Sequence, residues 1–234
     1  MSAVRAPAKL TRSLRVTGVR PDGYHLIDAE MVTLDLADTL TFTDGDGLEL
    51  HGADAAVPDG DDNLVRAALR AVGRQAHVRL EKRIPSGAGL GGGSADAAAV
   101  LRWAGVTDLE VAARLGADVP FCLVGGRARV TGMGEAVAPL PFEARAFTLL
   151  TPPVHCSTPA VYAAWDALGG PRADGPNDLE PAALQVAPEL ARWRDRLGEV
   201  TGRMPVLAGS GSTWFVEGAH DGAGFAVVRT VPAT

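Results

Sequence analysis

With 234 residues, 47% of them hydrophobic and only 5% aromatic, the chain has the composition of a globular protein rich in small side chains, with room for one large domain or two small ones. A charged fraction of 21% and a formal net charge of −6 exclude a disordered or fibrous chain. They also argue against a general nucleic-acid binder, whose affinity comes from neutralising phosphates, while leaving room for a local basic pocket around a small anion.

No apolar run reaches the roughly 20 residues of a membrane span, and the opening MSAVRAPAKL lacks the apolar core of a signal peptide. The expectation is a cytoplasmic protein with no membrane and no nucleic-acid partner, acting as a monomer or weak homodimer.

In chain order, LRVTG (14–18), MVTLDL (31–36) and TLTFT (39–43) carry the period-two alternation of strands, and an antiparallel sheet is the simplest account of them. ADT (37–39) and DGDG (44–47) read as turns, and LEL (48–50) as a further short strand. From Asp62 the pattern changes. Leu64, Val65, Ala68, Leu69 and Val72 mark one face of a helix, and VRLEKR (78–83) is a strand that ends at Pro85.

After a cluster of glycines, SADAAAVLRWAG (94–105) has strong helix formers and a glycine stop, so the glycines feed directly into a helix N-terminus. DLEVAARLG (108–116) predicts another helix, RARVTG (127–132) and FTLLTPP (147–153) strands, and PAVYAAWDAL (159–168) a helix. A helix broken near its prolines follows over 179–197, then strands over 205–218 and 224–230. The class is α+β, with a lobe boundary near Ala144 dividing the chain into 1–143 and 144–234.

Lys9 and Lys82 are the only lysines among 22 basic residues. A chain that otherwise writes arginine makes each lysine informative, because a compact ammonium and a planar fork are not interchangeable. Cys122 and Cys156 lack any C-x-x-C spacing and read as packing residues, implying neither zinc nor a disulfide framework. His51, His77, His155 and His220 show no metal-ligand spacing and read as surface or packing residues.

The densest signal is IPSGAGLGGGSADAAAV (84–100). Glycines there let a ligand approach bare backbone, and the first amides of the following helix are free donors at a positive dipole end, a natural seat for phosphate. A Walker A loop is excluded, since no lysine follows the glycines. Gly87, Gly89 and Gly92 satisfy G-x-G-x-x-G, with Asp108 near the usual acidic position, so a nicotinamide-dependent oxidoreductase with a parallel sheet stays open as an alternative.

The full letters of this loop, together with APAKL (6–10), RPDGYH (20–25), LGADVPF (115–121), NDLEP (177–181) and AGSGSTWF (208–215), resemble the GHMP kinases in order and place over nearly the whole chain. The resemblance implies a two-lobed GHMP kinase fold: an N-terminal lobe like ribosomal protein S5 domain 2 and a ferredoxin-like C-terminal lobe, with the active site between them. It implies ATP and Mg2+ as cofactors. The reaction implied is transfer of the γ-phosphoryl group to the 2-hydroxyl of a cytidine-diphosphate methylerythritol, in the non-mevalonate route to isoprenoids. The same scaffold acting on another small hydroxyl substrate is the alternative within the family, and an RNA-binding module on the shared N-terminal fold is a weaker one.

Carried over residue by residue, the resemblance makes Asp118 the catalytic base and Lys9 the cation that orients it and neutralises developing charge. Without the motif, Asp118 reads as a helix cap before VPF. Pro85, Gly87, Gly89, Leu90, Gly91, Gly92, Gly93, Ser94 and Ala95 become the ATP phosphate loop, with Ser94 either a phosphate or magnesium contact or a plain N-cap. Asn63 matches an asparagine near the adenosine pocket, or caps a helix. Tyr24 and His25 match the cytosine end of the substrate, a ring to stack on a base and an imidazole to bond its edge. Thr11, Gly209 and Ser210 complete the substrate side, and the magnesium ligands stay unassigned.

Three departures from the family stand out. PAKLTR replaces the usual PAKINL, so Thr11 stands for an asparagine and Arg12 for an apolar residue. The segment 97–113 is shorter than usual, and the C-terminal lobe is compact.

Overall fold

The computed structural model describes residues 2–52 and 57–233. Its frame is one long antiparallel pair, β1 (Ser2–Val19) and β2 (His25–Thr43). Gly23, at φ +86°, closes the turn between them by donating to the Arg20 carbonyl at 2.9 Å. Beside β2 lie β3 (Gly47–His51), β4 (His77–Glu81), β5 (Arg127–Gly132) and β6 (Ala136–Pro139), in the order β3-β4-β2-β5-β6 with β1 also paired to β2. The pair β3–β4 is parallel and every other pairing in this sheet is antiparallel. The sheet therefore overturns the nicotinamide-oxidoreductase alternative, which required a doubly wound parallel sheet.

β1 begins at Ser2, well before the strand expected from Leu14. β2 runs unbroken through residues 37–39, which correct the expected ADT turn by pairing with Pro7, Ala6 and Arg5. The reason is local. Asp38 is fully buried, and its carboxylate accepts from Lys82 and from the backbone N–H groups of Arg83 and Ile84, so a residue type that favours turns is satisfied inside a strand.

Four helices accompany the sheet, α1 (Leu64–Ala71), α2 (Gly92–Trp103), α3 (Leu109–Leu115) and α4 (Val119–Val124); α2 and α4 lie on its strands, and α1 and α3 pack against these helices. Every residue of α2 from Ala95 to Leu101 is buried, and its run of alanines lets the backbone lie close on β1 and β2. α4 and β6 carry no clear signal in the sequence, since VPFCLV is apolar all round and AVAP is short.

A second sheet, β7 (Ala146–Leu150), β8 (Val206–Leu207), β9 (Trp214–Glu217) and β10 (Phe225–Arg229), is antiparallel in the order β10-β7-β9-β8. The strand expected over 205–218 is two short strands around a turn at 208–213. The segment 179–197 divides at Ala187–Pro188 into α6 (Glu180–Val186) and α7 (Leu190–Thr201), after α5 (Thr158–Ala167).

The two sheets are stitched together. Val231 N–H donates to the Thr33 carbonyl at 3.0 Å, and Leu14 exchanges backbone bonds with Pro176 and Asp178, both at 2.9 Å. Arg12 explains its own departure from the family. It pairs with Glu30 at 2.5 Å, stands 3.9 Å from both Glu143 and Glu217, and lies over the Phe147 ring, so it serves the seam between lobes. Among the described residues no helix is long and apolar enough to cross a membrane.

Candidate active site

Between the sheets opens a cleft of about 1020 Å³, lined from both lobes. Its floor is the glycine loop. Gly91, at φ +69°, is the N-cap of α2, and no side chain caps that end, so the first helical amides are presented to the cleft. This corrects one reading of Ser94: it is the third residue of the helix, not its cap. Glycine is required at two places. A Cβ on Gly91 would lie 2.7 Å from Lys9 Cγ, and one on Gly89 would lie 2.3 Å from the Ala208 carbonyl oxygen. The loop is thus pressed between β1 and the turn that precedes β9. Backbone bonds fix it there, from Lys9 N–H to Leu90 O at 3.0 Å and from Thr213 N–H to Ala88 O at 3.2 Å.

β1 carries a register shift between Pro7 and Lys9, and residues 8–11 are all buried because α2 covers one face and the cleft wall the other. Such irregularities re-aim side chains. Lys9 Nζ stands 3.2 Å from Asp118 Oδ2 and donates to Thr11 Oγ1 at 3.1 Å. Asp118 occupies the N-cap position of α4 but makes no capping bond, leaving its carboxylate to Lys9 and the cleft. Gly209 borders the same group, a Cβ there lying 3.5 Å from Lys9 Nζ. Asn177 holds that turn by donating to the carbonyls of Leu207 at 2.9 Å and Gly209 at 2.7 Å, and Ser210 Oγ bonds Thr158 Oγ1 at 2.8 Å.

At the other end, Tyr24 is 62% exposed and faces the cleft, while the His25 ring is largely covered by α5. His25 Nε2 lies 2.8 Å from Asp166 Oδ1, and its ring centroid is 4.6 Å from that of Tyr162 and 5.6 Å from that of Trp165. Asn63 caps α1, accepting from Val65 N–H at 2.8 Å, and also lines the cleft. Its two expected roles are therefore compatible.

Of the residues expected at the site, Lys9, Thr11, Tyr24, His25, Asn63, Pro85, Gly87, Gly89, Gly91, Gly92, Gly93, Ser94, Asp118, Gly209 and Ser210 line this one cleft. Leu90 and Ala95 do not: both side chains are buried in the core, and Leu90 acts through its carbonyl. Sequence reasoning missed Asp96, Asp166, Tyr162 and Asn177. Lys82 stood out as a rare lysine but received no place; it and Asp96 line the cleft behind the loop. Cys122 is no nucleophile, since burial, with the negative charge of Asp118 nearby, pushes its thiol up to about 12. Among the described residues no group of three or more His, Cys, Asp or Glu is placed to hold a metal ion.

Residues 63–126 match the family model of the GHMP kinases N terminal domain. The 4-diphosphocytidyl-2-C-methyl-D-erythritol kinase of Cereibacter sphaeroides (strain KD131 / KCTC 12085) is 39% identical, over 92% of this chain and 88% of that protein. The enzyme of the same name from Paracoccus denitrificans (strain Pd 1222) is 40% identical, over 90% and 84%. A crystal structure of 4-(cytidine 5'-diphospho)-2C-methyl-D-erythritol kinase superposes with a TM-score of 0.73 at 35% identity, covering 92% of this chain and 89% of that one. A homoserine kinase from Cytophaga hutchinsonii shares the fold at a TM-score of 0.58 and 17% identity. With that identity sustained over nine tenths of its length, and a two-lobed α/β fold to match, the chain belongs to the 4-diphosphocytidyl-2-C-methyl-D-erythritol kinase family of GHMP kinases.

Proposed function

We propose that the chain transfers the γ-phosphoryl group of ATP to the 2-hydroxyl of 4-diphosphocytidyl-2-C-methyl-D-erythritol. The observation that carries this reading is the Lys9–Asp118 pair facing the uncapped N-terminus of α2 across one cleft. Phosphoryl transfer asks chiefly for positioning and charge neutralisation, and the cleft supplies both. The amides of Gly92, Gly93 and Ser94 take the phosphates. Asp118, held by Lys9, accepts the proton of the attacking hydroxyl. Lys9, itself aligned by Thr11, neutralises charge that develops on the transferred group. Tyr24 stacks on the cytosine, and His25, fixed by Asp166, bonds its edge.

The donor set suits ATP with Mg2+. The bare amides at the start of α2 suit a triphosphate, and the Ser94 hydroxyl, which lines the cleft beside them, would hold the magnesium that accompanies it. When bound, Mg2+ withdraws charge from the phosphate oxygens.

Phosphorus NMR of the protein with magnesium ATP and the cytidine-diphosphate methylerythritol tests the reading. A new 2-phosphate resonance from wild type, absent with Asp118→Asn, is the expected result. ATP left intact in the presence of this acceptor, but consumed with another small alcohol, overturns the substrate assignment.

A further inference from the structure

Behind the glycine loop lies a buried charge cluster to which the reaction scheme gives no role. Lys82 Nζ donates to Asp38 Oδ2 and, at 2.7 Å, to Asp96 Oδ2; the three residues are 9%, 0% and 3% exposed. Burying three charges is a poor way to gain stability, since well-packed apolar residues of similar volume do as well or better. What the cluster does uniquely is geometric.

Asp38 Oδ1 accepts from the amides of Arg83 at 2.5 Å and Ile84 at 2.8 Å, the two residues before the loop opens at Pro85. Asp96 sits in the helix immediately after the loop. The entry and exit of the loop are therefore bound, through Lys82, to one carboxylate on β2. Space is tight there as well: a Cβ on Gly92 would lie 3.3 Å from Lys82 Nζ and 3.1 Å from Ile84 Cγ2. A forked guanidinium in place of the ammonium would press on the helix start, which gives a physical reason for lysine in a chain that otherwise writes arginine.

We infer that Asp38, Lys82 and Asp96 are positioning residues that clamp both ends of the phosphate loop to β2 and so set where its amides meet the nucleotide. The inference rests on the ATP reading above. Asp96 is the corner to remove, because Lys82 and Asp38 still neutralise each other without it, whereas losing Lys82 would strand two buried carboxylates. In Asp96→Ala the loop exit is released: ATP KM and the calorimetric Kd for magnesium ATP rise about tenfold, while kcat and the KM of the hydroxyl substrate stay within about threefold. Asp96→Asn, which keeps an acceptor for Lys82, returns ATP affinity to within about threefold of wild type.

A purely structural role would lower the thermal midpoint of Asp96→Ala with ATP affinity unmoved, and that result overturns the inference. If Asp96→Ala does not fold, Lys82→Arg decides: it keeps the charge, is expected to weaken ATP about tenfold, and unchanged affinity refutes the clamp. A wild-type protein that binds ATP yet phosphorylates no acceptor sinks the functional reading and leaves the clamp to the binding data. One that binds no nucleotide sinks both.

Discussion

The two lysines of this chain flank the same glycine loop and spend their charge differently. Lys9 emerges from a register shift in β1, meets the single carboxylate of Asp118, and that carboxylate remains 32% exposed to the cleft. Lys82 lies past the end of β4 between two buried carboxylates. One pair is left open toward a reacting group; the other is closed on itself and holds backbone in place. The contrast shows that residue type names a chemistry while burial and partner count decide whether it is offered to a ligand or used up in the fold.

Breaking the open pair gives the largest effect. Asp118→Asn is expected to reduce kcat by roughly 10²–10⁴-fold with the Kd for ATP nearly unchanged, because the carboxylate acts in the transfer step. Full turnover in that variant would remove Asp118 from its role.

Lys9→Arg comes next. It retains the charge, but the stem lies close against Gly91, where a Cβ would fall 2.7 Å from Lys9 Cγ, and Gly209 borders the ammonium, so a bulkier planar fork does not reproduce the same placement. A loss of roughly 10²-fold in kcat/KM is expected, and steady-state kinetics matching wild type would show that charge alone suffices at this position.

Gly89→Ala attacks the loop between the two lysines. Its φ is +76°, and a Cβ would meet the Ala208 carbonyl at 2.3 Å and the Gly211 carbonyl at 2.8 Å. The expected cost is about 1–3 kcal/mol of unfolding free energy with a raised ATP KM; a thermal scan superimposable on wild type would contradict the packing described.

The smallest effect sharpens the closed side. Burial lifts the Asp96 carboxyl from an ordinary 3.8 to about 7, the Lys82 ammonium opposing and the like charge of Asp38 adding to it. From α4, Cys122 also feels this charge, and the Lys9–Asp118 pair stands beyond it on β1 and α4. An acid raised in the folded state binds its proton more tightly than the unfolded chain does. Its ionisation therefore removes stability as pH climbs from about 4 to about 7. Relative to wild type, Asp96→Asn is expected to gain stability over that interval, as read from denaturant unfolding at several pH values. Parallel curves would show that Asp96 does not titrate there.

Much of the fold could be read from letters because its elements carry their own periodicity. The alternation in β2, the helical face from Leu64 and the glycine stop after α2 each reflect local sterics that hold before any packing occurs. The site was legible where a motif spells out backbone needs, as in the loop 87–93, and where a lysine stood out among arginines. It was not legible where a side chain answers to a distant partner. Asp38 reads as a turn residue until Lys82 and two amides arrive from the segment that follows the neighbouring strand β4, and Asp96 reads as one polar letter in an alanine helix.

By itself, then, the sequence determined the period of each element and the bare-backbone loop at a helix start, since these depend on residues adjacent in the chain. Only the tertiary structure decided that Asp118 leaves its helix uncapped to meet Lys9, that Arg12 joins the seam between lobes, and that two buried carboxylates share Lys82. Those outcomes depend on burial and on which charges are brought within a few ångströms by pairing strands far apart in sequence, and no local pattern records that distance.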